Sequence, residues 1–216
     1  MGQRRLLGMA AAIALALAAC LSRPAAGPLA YEGPYRVDLA VSQTLPGTAV
    51  RYLGVTPRGA RVRLGDQEVI RLAGDSLEAD VRPHPTLFIR YRLRVYAYDE
   101  QALHALGTVR VEMAEAQPRA APLPAAAALR FTAPVTHRVP RGGVIPGTPI
   151  VYEGKVEGRA RLGGLPGYPD RNVGDSIVWE GQVHPRVFLK STFRVLLIEA
   201  GWLTVVGTVE ILVPSL

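Results

Sequence analysis

Leu87-Phe88-Ile89-Arg90-Tyr91-Arg92-Leu93-Arg94-Val95 sets apolar residues at every second position, with arginines interleaved. A period of two places Leu87, Ile89, Tyr91, Leu93 and Val95 on one face of an extended strand and Arg90, Arg92 and Arg94 on the other. A helix needs a period near 3.6, which this run does not supply. Alternation recurs upstream. Tyr35, Val37, Leu39 and Val41 interleave with Arg36, Asp38 and Ser42, and Ala60, Val62 and Leu64 with Arg61 and Arg63. Leu77, Ala79 and Val81 do the same with Glu78, Asp80 and Arg82. A turn at Asp99–Gln101 leads into a last strand ending at Met113. About seven short strands punctuated by Gly and Pro predict an antiparallel β-sandwich.

The same pattern returns one hundred residues later. Leu45-Pro46-Gly47-Thr48 becomes Ile145-Pro146-Gly147-Thr148, Gly74-Asp75-Ser76-Leu77 becomes Gly174-Asp175-Ser176-Ile177, and Gly107-Thr108-Val109 becomes Gly207-Thr208-Val209. Residues 44–113 and 144–213 share 20 identities in 70 ungapped positions, where chance gives about four or five. The reading is all-β: two tandem Ig-like β-sandwich repeats, 31–113 and 131–213. The alternative is one fused pseudo-symmetric β unit whose copies share a core. Between them, 114–130 is Ala/Pro-rich, a composition that suits a semi-extended spacer with room for a short helical turn at Ala125–Arg130. Pro149, at the place of Ala49, predicts an edge strand or bulge.

Composition narrows the function classes. In 216 residues, 49% hydrophobic and 20% charged, there is enough apolar material for a core, which argues against wholesale disorder. A single Cys excludes a disulfide framework and a Cys-rich zinc site. The net charge of +7 is spread thinly: eleven Arg face ten acids in 31–113, and nine basic residues face seven acids in 131–213. A nucleic-acid partner is not expected from such balanced domains.

The N-terminus carries an address. Arg4 and Arg5 precede an apolar run, Leu6–Ala19, that ends in Leu17-Ala18-Ala19-Cys20. The run is shorter than the roughly 20 residues of a membrane span and has the layout of a secretory signal peptide. Leu-Ala-Ala-Cys resembles the lipobox of bacterial lipoproteins. The resemblance implies removal of residues 1–19, a diacylglyceryl thioether on Cys20, and acylation of the new N-terminus. Residues 20–30 then form a lipidated tether, and the protein is a cell-envelope lipoprotein held outside the cytoplasm by its lipid anchor. Apart from that covalent lipid no cofactor is expected.

Gly74-Asp75-Ser76-Leu77 resembles the signature tetrad of the GDSL esterases, which implies a nucleophilic serine. That family also carries an Asp-x-x-His near the C-terminus, and this chain has none. The tetrad's return as Gly174-Asp175-Ser176 reads better as a turn used twice: glycine allows positive φ, and Asp and Ser close turns with their side chains. His84, His104, His137 and His184 show no metal-ligand spacing, so no metal site is expected. Gly163-Gly164-Leu165-Pro166-Gly167 lacks the Lys of a phosphate loop.

Two surfaces remain as candidates. Arg90, Arg92 and Arg94 can meet an anionic group, although alternating arginines also solvate a sheet face and discourage edge pairing. The second repeat departs from the first at Gly163–Val173, which reads as a loop bearing Tyr168, Asp170, Arg171 and Asn172, and at Trp179 and Trp202, which replace Ala79 and Ala102. Trp179 shares parity with Ile177 and belongs to the core; Trp202 lies on the face opposite Leu203 and Val205. Trp202 with 168–172 is the candidate contact surface for an envelope protein or glycan. The functional expectation is a non-catalytic envelope lipoprotein that presents two β domains for binding or assembly. The alternatives are a carbohydrate- or peptidoglycan-binding module and a secreted hydrolase built around the GDSL-like tetrad.

Overall fold

The computed structural model describes residues 27–165 and 167–216. The expected signal peptide (1–19), Cys20 and the expected tether as far as residue 26 lie outside the described residues. The first half of the chain forms β1 (Leu29–Ala40), β2 (Val50–Thr56), β3 (Gly59–Leu64), β4 (Gln67–Arg71), β5 (Ser76–His84), β6 (Leu87–Tyr98) and β7 (Ala102–Met113). After the short β8 (Arg119–Ala120) come β9 (Leu129–Pro140), β10 (Val151–Val156), β11 (Arg159–Gly163) and β12 (Asp170–Arg171). β13 (Ser176–His184), β14 (Val187–Ile198) and β15 (Trp202–Val213) complete the chain. The described residues contain no helix, and all strand pairs of these sheets are antiparallel.

Each half is a long sheet covered by a small one. In the first, β1-β7-β6-β5 is overlaid by the meander β2-β3-β4; in the second, β8-β13-β14-β15-β9 is overlaid by β10-β11-β12. The chain is thus a β-sandwich protein, as the alternation predicts. The strand order departs from the immunoglobulin one, in which strands A, B, E and D share a sheet. Tight hairpins keep β2, β3 and β4 together, and β1 pairs with β7 over its whole length, from Leu29↔Met113 to Ala40↔Ala102.

Parity decides burial. Leu87, Ile89, Tyr91, Leu93 and Val95 are all buried on β6, and Val187, Leu189, Ser191, Phe193 and Val195 on β14. Each large apolar side chain so placed contributes about 1.5–3 kcal/mol relative to exposure. Trp179 is buried on β13 as its parity requires. Thr48 Oγ1 donates to the Leu45 carbonyl (2.9 Å) and accepts from the Val50 N–H (3.0 Å), folding the Leu-Pro-Gly-Thr turn inward; Thr148 repeats this with Ile145 and Ile150. Gly74 (φ +96°) and Gly174 (φ +91°) hold the positive φ expected of the second turn. There the Asp75 and Asp175 carboxylates accept from the Leu72 and Asn172 N–H groups at 2.8 and 2.7 Å.

The halves meet through β1 and β9. Gly33 lies so close to β9 that an added Cβ would sit 2.3 Å from the Thr132 carbonyl oxygen. Buried residues of both halves form one hydrophobic cluster, the arrangement expected of the fused alternative. Nor is 114–130 a free spacer. The Ala114 N–H donates to the Thr86 carbonyl, the Gln117 N–H donates to the Val183 carbonyl, and β8 adds a strand to the edge of β13. Ala125–Arg130 takes no helical turn; β9 begins at Leu129. The backbone groups of the segment find partners on the sheet edge, which a solvated spacer lacks.

Gly163–Val173 is likewise not all loop. Gly163 ends β11, and Asp170–Arg171 pair with Arg161 and Ala160 as β12. The cause is local: Asp170 accepts two hydrogen bonds from the Arg161 guanidinium opposite it, at 3.0 and 3.2 Å, which pins the segment to the sheet. β10 starts one residue later than its counterpart β2, just beyond Pro149, and lies at the edge of its sheet.

Candidate functional site

Trp202 opens β15 directly after the hairpin turn, where the Glu199 N–H donates to the Trp202 carbonyl. Its partner across the sheet is Pro140, and Leu203 beside it turns into the core. The indole is 40% exposed, and the Arg138 guanidinium stacks on it at 4.8 Å from the ring centroid. Arg138 also reaches Glu199 at 3.4 Å. Leu196 and Leu197, beside a β-bulge in β14, are exposed on the same hairpin. The hairpin end is held rigidly from below: Tyr152 Oη donates to the Glu199 carbonyl at 2.8 Å and Lys155 Nζ to the Ile198 carbonyl at 3.3 Å. An aromatic ring, two leucines and a stacked cation thus project from a fixed edge.

Asp170 and Arg171 form β12 of the small sheet, with Tyr168 and Asn172 on either side of it. Tyr168 is 59% exposed and accepts from Arg159 through its hydroxyl at 3.2 Å. Asp170 is committed to Arg161, whose guanidinium holds its carboxyl below the usual carboxylate range. Arg171 donates to the Tyr168 carbonyl, and the Asn172 N–H is taken by Asp175. Among the described residues no hydrogen bond joins this group to Trp202. Lys155, which reaches the Trp202 hairpin, sits on β10, and β11 separates that strand from β12. The two parts of the sequence-derived surface are therefore separate features.

Arg90, Arg92 and Arg94 project from the outer face of the first long sheet. Arg90 Nε lies 3.2 Å from Asp80; Arg92 Nη1 lies 3.2 Å from Glu78 and 3.4 Å from Asp80. Arg94 donates to the Gly74 carbonyl at 2.9 Å and so braces the turn. Arg94 is thus structural. Arg110 joins Arg90 and Arg92 from β7, held by Glu112 at 2.6 Å and Glu32 at 3.4 Å.

One cluster has no signature in local spacing. The turns after β5 and β13 bring His84 and His184 together across the halves, with ring centroids 5.0 Å apart and planes at 77°. The Arg186 N–H donates to His184 Nδ1 (3.2 Å), so His184 Nε2–H donates to Thr86 Oγ1 (2.9 Å). The Thr86 hydroxyl then donates to His84 Nδ1 (2.9 Å), which also accepts the Thr86 N–H (3.3 Å). This pattern requires both imidazoles to be neutral. Burial, the largest cause, pushes the His184 pKa down, with His84 and the Arg186 charge acting in the same direction. Glu115, Gln117, Arg119 and Gln182 complete a cavity of about 260 Å³ beside the pair. The only sequence hint is the repetition of His-Pro at 84–85 and 184–185; contact across one hundred residues is a product of the tertiary fold.

Ser76 begins β5 opposite Arg94, while His84 ends the same strand. Eight residues of extended chain separate them by about 26 Å, far beyond a nucleophile–base hydrogen bond. The other histidines are engaged elsewhere. His104 Nδ1 bonds Asp38 at 2.7 Å, His137 packs edge-on to Phe193, and His184 bonds Thr86. No group of three or more metal-ligating side chains converges among the described residues.

No protein-family model, curated protein or solved structure matches the chain. The functional reading therefore rests on its own residues.

Proposed function

We propose that the chain is a non-catalytic envelope lipoprotein, anchored through Cys20, whose β-sandwich presents fixed surfaces for binding or assembly with other envelope components. The observation that carries this reading is the Trp202 hairpin end. A large aromatic ring stays exposed beside Leu196 and Leu197 on a backbone braced by Tyr152 and Lys155. Buried Trp179 in the same half needs no such account, because it fills core volume. An exposed Trp on a braced edge loses little entropy on association, and Trp with the Arg138 stacked on it are residue types enriched at binding centres. The serine tetrad supports a turn role, since its glycine and aspartate serve the chain crossing from β4 to β5.

A glycan partner is the second reading, favoured by one specific feature: Tyr168 and Trp202 are both exposed aromatics on the second half. Membranes carrying the acylated protein should yield a partner by pull-down, and Trp202→Ala should lower its recovery while domain melting is unchanged. Undiminished recovery sinks the proposal for Trp202. Recovery of peptidoglycan fragments in place of protein, lost with Tyr168→Ala, selects the glycan reading. Metabolic labelling with a clickable fatty acid tests the anchor: wild type should label and Cys20→Ala should not.

A further inference from the structure

Across the outer face of the first long sheet, Glu32, Arg110, Arg90 and Asp80 stand directly opposite one another in a single row over β1, β7, β6 and β5. The two central members carry the same charge. Like charges directly opposite on neighbouring strands are destabilising. The second half shows that this backbone does not need them. Its corresponding row reads Thr132, Glu210, Lys190 and Glu180, with Glu210 in place of Arg110, so the central pair is acid against base. There Lys190 lies 3.5 Å from Glu180 and Arg130 lies 3.5 Å from Glu210. The first half has the costly arrangement, and the second has the relaxed one.

The acids around the arginines position them without using them up. Asp80 engages Nε of Arg90, Asp80 and Glu78 engage Nη1 of Arg92, and Glu112 and Glu32 engage Nε and Nη1 of Arg110. A guanidinium has five N–H donors. Among the described residues, both terminal nitrogens of Arg90 and Nη2 of Arg92 and Arg110 remain as unengaged donors. Between the three lies a depression of about 350 Å³, floored by the half-buried Thr108. Glu32 and Glu112, which clamp Arg110, form part of its wall.

The geometry points to an oxyanion-binding site formed by Arg90, Arg92, Arg110 and Thr108, with a phosphate monoester group as its ligand. A tetrahedral phosphate offers three acceptor oxygens to guanidiniums that approach from two strands, and guanidinium forks suit that geometry. Bound anion screens the Arg90–Arg110 repulsion, which explains why the pair is kept. The phosphate can belong to a soluble phosphoester or to a lipid headgroup. The proposal stands apart from the Trp202 surface, which lies on the other half.

The test is a titration of the full chain, in non-ionic micelles, with inorganic phosphate and with sodium chloride at matched ionic strength, followed by backbone amide resonances. Saturable shifts at Arg90, Arg92, Thr108 and Arg110 with phosphate alone are expected. Arg110→Glu, which copies the second half's arrangement, should weaken phosphate binding about tenfold or more, the loss of one charge-assisted interaction. Its circular dichroism and melting should stay near wild type; should it misfold, Arg110→Gln serves in its place. Co-sedimentation of Cys20→Ala protein with phosphatidylcholine vesicles, with and without phosphatidic acid, separates the sources. Arg110-dependent sedimentation with phosphatidic acid assigns a lipid headgroup, and phosphate binding without it assigns a soluble phosphoester. Equal shifts with chloride, or full phosphate affinity in folded Arg110→Glu, overturn the proposal.

Discussion

The hydroxyl of Tyr31, on the first strand, donates to the carbonyl of Pro146 at 3.3 Å, across 115 residues of sequence. In the first half the matching carbonyl, Pro46, is served from within: Tyr91 Oη donates to it at 3.0 Å. The residue at the place of Tyr91 in the second half is Ser191, which is buried, too short to reach, and without a partner for its own hydroxyl. Phe131, at the place of Tyr31, has no hydroxyl to return. The second half therefore takes its tyrosine from the first. This dependence runs one way.

It follows that the second half should not stand alone. Residues 114–216 made separately, which keep β8 and all of β9, lose Tyr31 and the cover of β1, and should melt well below the full chain and with little cooperativity by circular dichroism. Tyr31→Phe in the full chain should cost about 1 kcal/mol, the value of one hydrogen bond, with the Pro146 carbonyl left unpaired. An isolated second half that melts like the full chain would show two independent domains.

Two glycines should respond to substitution for different reasons. At Gly33 the backbone of Thr132 leaves no room for a Cβ, so cost should grow with side-chain size, beginning at about 1–3 kcal/mol for Gly33→Ala. At Gly74 there is nothing within 4 Å of an added Cβ, but φ is +96°. The cost there is conformational, about 1–3 kcal/mol for Gly74→Ala, and Gly74→Asn should cost less than Ala because Asn tolerates positive φ. Denaturant melts of the three variants give the order.

Acid should loosen the seam between the halves. His184 has its pKa lowered by burial, then by His84 and Arg186, so the folded chain holds it neutral while the unfolded chain protonates near 6.5. Its contribution is present in full above that value and is lost as pH falls through the folded pKa. Glu115 and Arg119 border the same cavity. Melting temperature should therefore drop between neutral pH and pH of about 5, and His184→Gln should flatten that drop. His137, buried against Phe193, shifts in the same direction and should leave a residual slope. An unchanged slope in His184→Gln would remove the seam histidine from the account.

The serine tetrad should prove inert. With Ser76 and His84 at opposite ends of β5, hydrolysis of a p-nitrophenyl ester by the full chain should not exceed that of Ser76→Ala. Asp75→Ala, by contrast, should lose about 1 kcal/mol of stability, because its carboxylate caps the Leu72 N–H. Activity that disappears with Ser76→Ala would restore the hydrolase reading.

What the sequence determined by itself is whatever depends on neighbours along the strand. The period of two around Tyr91 sets which side chains are buried, and Gly74-Asp75 sets a turn because only near residues take part in it. Parity also places Trp179 inside and Trp202 outside. What the tertiary structure alone decided depends on residues that approach from far along the chain. Arg110 completes the arginine row only because β7 pairs with β6 in one register, and the run 87–95 contains no trace of it. His84 meets His184, and Tyr31 meets Pro146, because the two halves pack against each other. A single strand records which of its faces is apolar; it does not record which other strand will cover that face. Shared core and independent domains have the same alternation, and only the packed structure shows the backbone of β1 against β9 at Gly33.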